Sequence, residues 1–512
     1  MAAAKSIMIQ GTSSNVGKSM LCTALCRIFY REGYSTSPFK AQNMALNSAV
    51  TPEGGEIGRA QAVQAEAAGV SPSVLMNPIL LKPKQDMHAQ VVVLGRPLAD
   101  MSAREYRDDY LPEGEKVVIE CIKQLKDRYE ILIIEGAGSP AEINLKDRDI
   151  VNMKTAAIAE APVLLVADID RGGVFASLIG TLELLEPEEK KRIKGFIINK
   201  FRGDIELLKP GLDFLEARTG LPVLGVVPYI HDHGIEEEDS VSLTERKTAG
   251  AKDALIQIAV LQLPRISNFT DINPLYYLPD TRVRFVKKGE RIGAADVVII
   301  PGTKNSILDC LYLKEQGYDE EIKSLARQDK YIVGICGGYQ MLGEKLLDPY
   351  GTEAGLGTLD ALGLLPFITT YGREKTTHLV EAVITSQHGF WRALNGERIK
   401  GYEIHMGQTR IEDERGHLLQ IRSRSDRAVQ VNDGCVNEKG NIFGTHLHGF
   451  FDNIPVLLNL VNAVRQEKGL CNLKAEEILI HSRELNYDRV ADIVRQALDM
   501  EQVYAIMDIR GA

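Results

Sequence analysis

The chain has 512 residues, which is too long for one ordinary hydrophobic core and indicates two or more domains. Its composition, 44% hydrophobic and 25% charged, is that of a folded globular protein and excludes a disordered or fibrous chain. The net charge of −10 at pH 7 argues against nucleic acid as the main partner, because phosphate backbones are bound by clustered Lys and Arg side chains.

The chain also lacks the sequence features of a membrane or secreted protein. No run of about 18 apolar residues occurs, so we predict no membrane-spanning helix. The N-terminus leads directly into a predicted strand at residues 6–9 rather than into a signal peptide. The seven cysteines are scattered and odd in number, which is typical of thiols in a reducing compartment. We therefore expect a cytoplasmic protein.

The first half of the chain alternates short apolar runs with amphipathic stretches. The apolar runs predict strands at residues 6–9, 131–134, 163–166, 196–198 and 223–226. The first amphipathic stretch predicts a helix over 20–31. Because strands that are apolar throughout are buried on both faces, this alternation predicts a doubly wound α/β domain with a parallel sheet.

A second alternation follows a polar break. Residues 231–253 are charged and lack an apolar period, and we interpret them as a linker. Beyond them, apolar runs predict strands at 255–261, 297–300, 331–334 and 441–444. The sequence thus predicts two doubly wound α/β domains, residues 1–230 and 254–512. The second domain is expected to end in a helical tail from about 475 to 507.

A phosphate-binding loop separates the first predicted strand from the first helix. Its two glycines bracket five residues, one more than in the common pattern, and a lysine and a serine follow. In such a loop, backbone N–H groups and the helix N-terminus hold phosphate oxygens, the lysine neutralises charge and the hydroxyl ligates Mg²⁺. The residues expected to bind ATP phosphates are Gly11, Thr12, Asn15, Val16, Gly17, Lys18 and Ser19.

This longer loop resembles that of dethiobiotin synthetase and its relatives, which activate a carboxylate with ATP. The resemblance implies that Lys40, after the first helix, lies near the phosphates and the substrate. It also implies that Glu135, which follows a predicted strand, binds Mg²⁺ together with Ser19. Such a position suits a ligand-binding carboxylate, because open parallel sheets bind ligands at the carboxyl ends of their strands. Asn199 ends another strand, where the relatives bind adenine.

A second site is predicted around residue 336. An apolar strand ends at Cys336, which glycines flank, and a helix follows, which is the pattern of a nucleophile elbow. The helix N-terminus favours the thiolate form of such a cysteine. The N–H groups of Gly302 and Gly337 are expected to form an oxyanion hole. His446 and His448 follow a later strand, and both are candidates for the base.

This second set of residues resembles the class I glutamine amidotransferases, whose elbow has the sequence G-x-C-x-G-x-Q. The resemblance implies that Cys336 attacks the side-chain amide of glutamine and that ammonia is released. The histidine pattern of the relatives favours His448 as the base. Many members carry a glutamate two residues later, but this chain has Phe450. The third member of the triad is therefore absent or comes from elsewhere in the chain.

Together the two halves resemble the glutamine-hydrolysing, cobyrinate-amidating family, and within it the cobyric acid synthases. The matching runs include PFKAQNMALNS, EIGRAQ, ADIDRGGVF, GFIINKFRGD and GYEIHMG. The resemblance implies amidation of the b, d, e and g carboxylates of adenosylcobyrinic acid a,c-diamide in cobalamin biosynthesis, with ATP, Mg²⁺ and L-glutamine. The polar residues expected to bind this corrinoid are Lys40, Gln42, Asn43, Asn47, Asp170 and Arg171.

On this interpretation, residues 1–230 activate the carboxylate with ATP and residues 254–512 hydrolyse glutamine. The nearest alternative is a cobyrinic acid a,c-diamide synthase, which performs the same chemistry on the same ring. A regulatory P-loop ATPase is an alternative of a different class. It would not require Cys336 and His448, and the sequence therefore favours an enzyme.

Overall fold

The computed structural model describes residues 4–85, 88–236, 253–411, 416–478 and 483–509. The chain divides into two compact units. The described residues of Met1–Ala45, Glu56–Glu236 and His481–Ala512 form the first unit, and those of Leu46–Gly55 and Glu237–Ile480 form the second. Across these described ranges, every helix is too short or too polar to span a bilayer.

Strands and helices are numbered separately in chain order. The strands are β1 (Lys5–Gly11), β2 (Thr36–Phe39), β3 (Gln42–Met44), β4 (Ser48–Val50), β5 (Glu56–Gly58), β6 (Ile79–Gln85), β7 (His88–Val93), β8 (Arg96–Ser102), β9 (Ile131–Glu135), β10 (Val163–Asp168), β11 (Ile193–Phe201), β12 (Val223–Pro228), β13 (Ile256–Leu261), β14 (Thr281–Val286), β15 (Val297–Ile300), β16 (Tyr331–Ile335), β17 (Lys345–Asp348), β18 (Gly357–Asp360), β19 (Phe367–Ile384), β20 (Arg398–Ile411), β21 (His417–Arg424), β22 (Arg427–Val436) and β23 (Ile442–Thr445). The α-helices are α1 (Lys18–Arg31), α2 (Arg59–Ala67), α3 (Ala103–Glu105), α4 (Leu111–Lys126), α5 (Met153–Ile158), α6 (Val174–Leu184), α7 (Pro187–Lys190), α8 (Ile205–Thr219), α9 (Ser306–Glu315), α10 (Tyr318–Arg327), α11 (Gly337–Leu342), α12 (Ile454–Glu467), α13 (Arg483–Ala497) and α14 (Met500–Met507). A π-helical turn spans Tyr106–Tyr110, and short 3₁₀ helices span Val74–Met76, Ile143–Arg148, Phe269–Tyr277, Gly389–Leu394, Phe450–Asp452 and Ala475–Glu477.

The first unit is built on a six-stranded sheet in the order β12-β11-β10-β1-β9-β2, in which every neighbouring pair is parallel. All five residues of β9 are buried, as are nearly all of β1 and β10. Separate hydrophobic clusters cover the two faces of the sheet. This confirms the predicted doubly wound domain, because its parallel sheet is covered on both faces. A smaller mixed sheet, β3-β6-β7-β8, was not predicted.

The C-terminal helices belong to the first unit, although the sequence places them at the end of the second domain. Tyr487, Val490 and Val494 of α13 join the cluster that contains Leu21 and Phe29 of α1. Amphipathic periodicity predicts that such a helix packs on a core, but it does not say which core. Of the predicted linker, residues 237–252 lie outside the described residues.

The second unit contains an eleven-stranded sheet. Five strands in the order β14-β13-β15-β16-β23 are parallel, as predicted for a doubly wound domain. Beyond β23 the sheet continues through β22, β21 and β19, which pair antiparallel. The sequence does not predict this extension. The carboxyl ends of β15, β16 and β23 lie side by side, and this arrangement brings residues from three distant segments to one edge of the sheet.

Candidate active sites

The nucleophile elbow forms between β16 and α11. Cys336 has φ of 51° and ψ of −107°, a left-handed conformation that non-glycine residues adopt at a cost and that is typical of functional sites. Its N–H donates to the carbonyl of Thr445 at 2.8 Å. A Cβ atom at Gly338 would lie 1.9 Å from the Ile300 carbonyl oxygen. The elbow therefore requires glycine at position 338.

Three buried side chains, those of Cys336, His448 and Asp271, form a triad. The Cys336 sulfur lies close enough to the His448 imidazole to raise the pKa of that ring. On the other side of the ring, His448 Nδ1 lies 2.7 Å from Asp271 Oδ2, and the second carboxylate oxygen accepts the N–H of Gly449 at 2.8 Å. Asp271 lies in the 3₁₀ helix Phe269–Tyr277, far upstream in the sequence. Its carboxylate lies beside His448, where the resemblance requires an acidic third member of the triad, and no sequence pattern predicted it.

Charge within the triad favours a protonated imidazole. Burial alone disfavours the imidazolium of His448, which is 1% exposed. The Asp271 carboxylate and the Cys336 sulfur outweigh this effect and raise the pKa of His448 to about 10. The site is therefore suited to hold a proton that the thiol gives up.

Gly302 and Gly337, the residues predicted to form the oxyanion hole, adjoin the triad. A Cβ atom at Gly302 would lie 3.0 Å from Cε1 of His448. A Cβ atom at Gly337 would lie 3.2 Å from the backbone nitrogen of Thr303. The two backbone segments are thus close to each other and to the base, as two converging N–H donors require.

The second histidine, His446, belongs to a different buried network. Its Nδ1 lies 2.7 Å from Asp433, and its ring stacks on His405 at 4.1 Å between centroids. Its Nε2 lies 3.4 Å from the side-chain nitrogen of Gln340, the glutamine of the elbow motif. Burial, followed by the nearby charge of His446, lowers the pKa of His405. The geometry assigns His448 rather than His446 to Cys336.

In the first unit, the phosphate loop closes around Lys18. The Lys18 ammonium donates to the carbonyls of Ser13 and Gly138 at 2.9 and 3.1 Å. A Cβ atom at Gly11 would lie 2.9 Å from this ammonium, and Gly17 has φ of 98°. Both glycines are thus required by the loop geometry, the first by close approach and the second by its backbone conformation.

Asn199 and its neighbour Lys200, near the end of β11, hold this loop. The side-chain amide of Asn199 donates to the carbonyl of Val16 at 2.8 Å, and Lys200 donates to that of Asn15 at 2.7 Å. The N–H of Thr12 donates to a carbonyl of β10 at 2.9 Å. The structure therefore gives Asn199 a part in shaping the loop, while its contact with adenine stays a prediction.

Glu135 is the buried centre of the predicted metal site. It accepts hydrogen bonds from Ser19 at 2.8 Å, Lys40 at 3.0 Å and Gln64 at 2.6 Å. Burial would raise the pKa of Glu135, but the Lys40 charge and these hydrogen bonds hold it below its ordinary value. The oxygens of Ser19 and Glu135 are the hard donors that Mg²⁺ prefers, and the residues present therefore fit this ion. Gln64 was not predicted, although it lies one helical turn from Gln61 on α2.

Most of the predicted corrinoid-binding residues lie in the first unit. Asn43 donates to Gln61 at 2.9 Å, and Gln42 accepts the hydroxyl of Tyr106. Asp170 follows β10 and forms an ion pair with Arg202 at 3.1 Å. Like Lys40, these residues are at or near strand ends of the first unit.

Arg171 and Asn47 complete this group. The Arg171 side chain is 60% exposed, and its Nε lies 3.9 Å from Asp168 Oδ2. Asn47 differs from the others, because it lies in the second unit and its side chain accepts the N–H of Phe269 at 3.3 Å. The sequence grouped Asn47 with Lys40 and Asn43, whereas the structure assigns Asn47 to the second unit and the other two to the first.

Two family models match this chain, one in each half. Residues 7–241 match the CobQ/CobB/MinD/ParA nucleotide binding domain, and residues 257–456 match the CobB/CobQ-like glutamine amidotransferase domain. PurLQS from Thermotoga maritima, a solved structure, aligns with a TM-score of 0.30 at 20% identity, over 41% of this chain and 99% of that one.

Full-length relatives are much more similar. The cobyric acid synthase of Desulforamulus reducens is 59% identical over 509 residues, which cover 99% of each chain. That of Caldanaerobacter subterraneus subsp. tengcongensis is 51% identical over 505 residues, or 98% of each chain. Identity of this extent across both units shows the family. The chain belongs to the cobyric acid synthases.

Proposed function

We propose that the chain amidates the b, d, e and g carboxylates of adenosylcobyrinic acid a,c-diamide in cobalamin biosynthesis, using ATP and the ammonia released from glutamine. The observation that carries this proposal is the Cys336–His448–Asp271 triad in a chain that shares its whole length with cobyric acid synthases. A nucleotide-binding regulator has no use for such a triad.

The second unit releases ammonia from glutamine. Cys336 Sγ attacks the side-chain amide carbon of glutamine, and His448 takes the thiol proton. Asp271 stabilises the resulting imidazolium through its bond to Nδ1. The N–H groups of Gly302 and Gly337 hold the developing oxyanion. His448 then protonates the departing nitrogen, and water hydrolyses the glutamyl thioester, which regenerates the thiol.

The first unit activates the corrinoid carboxylate. A carboxylate oxygen attacks the γ-phosphorus of ATP, giving an acyl phosphate and ADP. Ammonia then attacks the carbonyl carbon, and phosphate leaves. Lys18 and the loop N–H groups bind the phosphate oxygens and reduce their charge. Bound Mg²⁺, held by Ser19 and Glu135, would neutralise further phosphate charge. Activation is necessary because a free carboxylate does not react with ammonia.

The assignment of glutamine hydrolysis and carboxylate activation to different units predicts the activities of Cys336→Ala. This variant is expected to lose glutamine-dependent synthesis and to retain synthesis with high concentrations of ammonia, because only the nitrogen supply is removed. Mass spectrometry of products from adenosylcobyrinic acid a,c-diamide measures both activities, with four successive losses of one mass unit expected. Loss of both activities in a folded variant would contradict the assignment. Two amidations starting from cobyrinic acid would instead identify an a,c-diamide synthase.

We also infer a cytoplasmic location. All seven cysteines are thiols rather than disulfides, which is typical of a reducing compartment. Fractionation of cells that express the chain would test this inference, and recovery outside the cytoplasm would contradict it.

A further inference from the structure

We propose that residues 46–55, here called the excursion, position the glutaminase triad. The proposal rests on the assignment of Cys336, His448 and Asp271 made above. The excursion lies between β3 and β5, both in the first unit, yet its own residues belong to the second unit. The glutaminase therefore includes a piece of chain that the sequence places within the synthetase half.

Most of the excursion is buried, and only Glu53, in its turn, is exposed. Asn47 and Ser48 are each 1% exposed, and all three residues of β4 are buried. The chain then reverses in a turn in which the N–H of Thr51 donates to Gly55 at 2.8 Å. Burial of polar side chains is costly unless their hydrogen bonds are made, so specific partners are expected.

Its first anchor holds the helix that carries Asp271. Asn47 Oδ1 accepts the N–H of Phe269 at 3.3 Å, and the N–H of Ser48 donates to Asn268 Oδ1 at 3.1 Å. Asn268 has φ of 50°, and its carbonyl accepts the N–H of Asp271 at 3.1 Å. A series of hydrogen bonds thus connects the excursion to the backbone of Asp271, the residue that carries the triad carboxylate.

Its second anchor supports the other two members of the triad. Val50 forms a buried hydrophobic cluster with Tyr402 and Ile404. The Tyr402 ring stacks on His448 at 5.2 Å between centroids, and the two residues also exchange backbone hydrogen bonds at 3.1 and 2.8 Å. The Ile404 carbonyl lies 3.6 Å from the Cys336 sulfur.

The two anchors together reach every member of the triad. The first N–H groups of a buried helix start need acceptors. The excursion provides one, Asn47 Oδ1, and it also binds Asn268, whose backbone carbonyl accepts the N–H of Asp271. Catalysis is sensitive to small misplacements of the reacting groups. Loss of an anchor is therefore expected to reduce glutamine use while leaving carboxylate activation intact.

The test uses the full-length chain with Asn268→Gly. Glycine keeps the left-handed backbone of this position, so the change removes only the side-chain acceptor for Ser48. We expect glutamine-dependent synthesis to fall roughly 10- to 100-fold, because displacement of a catalytic group by about 1 Å has effects of that size. Ammonia-dependent synthesis is expected to stay unchanged. Asn268→Asp retains a side-chain acceptor for Ser48, and aspartate tolerates the left-handed backbone at this position. This variant should therefore show most of the glutamine-dependent rate that Asn268→Gly loses.

Two further variants separate positioning from general stability. If Asn268 acts through Asp271, then Asn268→Gly combined with Asp271→Asn should lose no more glutamine activity than Asp271→Asn alone. Asn441→Ala is the matched control, because Asn441 is also buried and donates to the carbonyl of Lys330 at 3.1 Å, at the opposite end of β23 from the triad. This variant should lower thermal stability and should change glutamine- and ammonia-dependent synthesis to the same extent.

Val50→Ala tests the second anchor in the same assays, and a selective loss of glutamine use is expected. The proposal would be overturned if Asn268→Gly and Val50→Ala each lost glutamine- and ammonia-dependent synthesis equally, or if neither lost any. A multiplicative loss in the double variant would also overturn it. Failure of the triad assignment gives a different result, because Cys336→Ala would then retain glutamine-dependent synthesis whatever happens at Asn268.

Discussion

Asp271→Asn is the sharpest test of the glutaminase site. The substitution keeps the size of the side chain but removes its charge, and it leaves one oxygen where two N–H donors now bind. Those donors are the His448 ring at 2.7 Å and the Gly449 backbone at 2.8 Å. One of them must then face an amide nitrogen, so the imidazolium loses both its counter-ion and its orientation.

The expected magnitude follows from the distance and burial of the pair. Charges about 4 Å apart interact by about 4 kcal/mol at an effective dielectric of about 20. Since about 1.4 kcal/mol corresponds to a tenfold change in rate, full loss of this term lowers kcat/KM for glutamine by roughly 10³-fold. Solvent and the remaining hydrogen bonds offset part of this lost interaction energy. We therefore expect a decrease on the order of 10² to 10³-fold.

Glutamine hydrolysis as a function of pH is the appropriate assay. The carboxylate raises the pKa of His448 to about 10, so the active imidazolium persists across neutral pH and is lost as pH rises through that value. Asp271→Asn should lower this pKa and move the alkaline limb of kcat/KM to lower pH. Ammonia-dependent synthesis should not change.

Asp433→Asn is the matched control, because Asp433 holds the neighbouring His446 at the same 2.7 Å separation. It should leave the alkaline limb in place, since we assign the role of base to His448 and not to His446. The reasoning would be refuted if Asp271→Asn kept glutamine activity within about threefold of wild type. An unshifted alkaline limb, or a larger effect of Asp433→Asn, would refute it equally.

Two more predictions concern the phosphate loop and the elbow. Lys18→Ala should abolish synthesis with either nitrogen source and preserve glutamine hydrolysis, because the lysine neutralises phosphate charge in the other unit; synthesis that persists would remove this assignment. Gly338→Ala should destabilise the second unit by about 3 kcal/mol, since the added Cβ lies 1.9 Å from the Ile300 carbonyl oxygen. Gly180→Ala in α6, where nothing lies within 4 Å, should stabilise by up to about 1 kcal/mol, and equal thermal midpoints for the two variants would contradict this argument.

The parts of the fold that sequence predicts are those with a strong local pattern. The strand predicted at 297–300 is observed as β15 over Val297–Ile300, and the one predicted at 131–134 as β9 over Ile131–Glu135. Both are buried on two faces, and residues 131–134 and 297–300 are accordingly all apolar. Strand β19 has a mixed burial pattern over 18 residues, and neither of the periods that identify strands or helices is maintained along it.

The site residues that the sequence predicts are likewise those that lie in a short local motif. Lys18 and Cys336 lie in short motifs, where a strand, a glycine turn and a helix follow one another within about ten residues. Asp271 lies 177 positions from its partner His448 and belongs to no such motif. The contact between them arises only when the 3₁₀ helix Phe269–Tyr277 packs beside the 3₁₀ helix Phe450–Asp452, which follows His448.

By itself, the sequence determined the two α/β units, the phosphate loop and the cysteine elbow, because hydrophobic period and turn chemistry are local properties of the chain. Tertiary structure alone decided which carboxylate completes the triad, where the C-terminal helices pack and which unit contains Asn47. Each of these depends on a contact between residues far apart in the chain. Such a contact is selected by the fit of buried surfaces and by the pairing of buried polar groups, and neither leaves a spacing that can be recognised in one sequence.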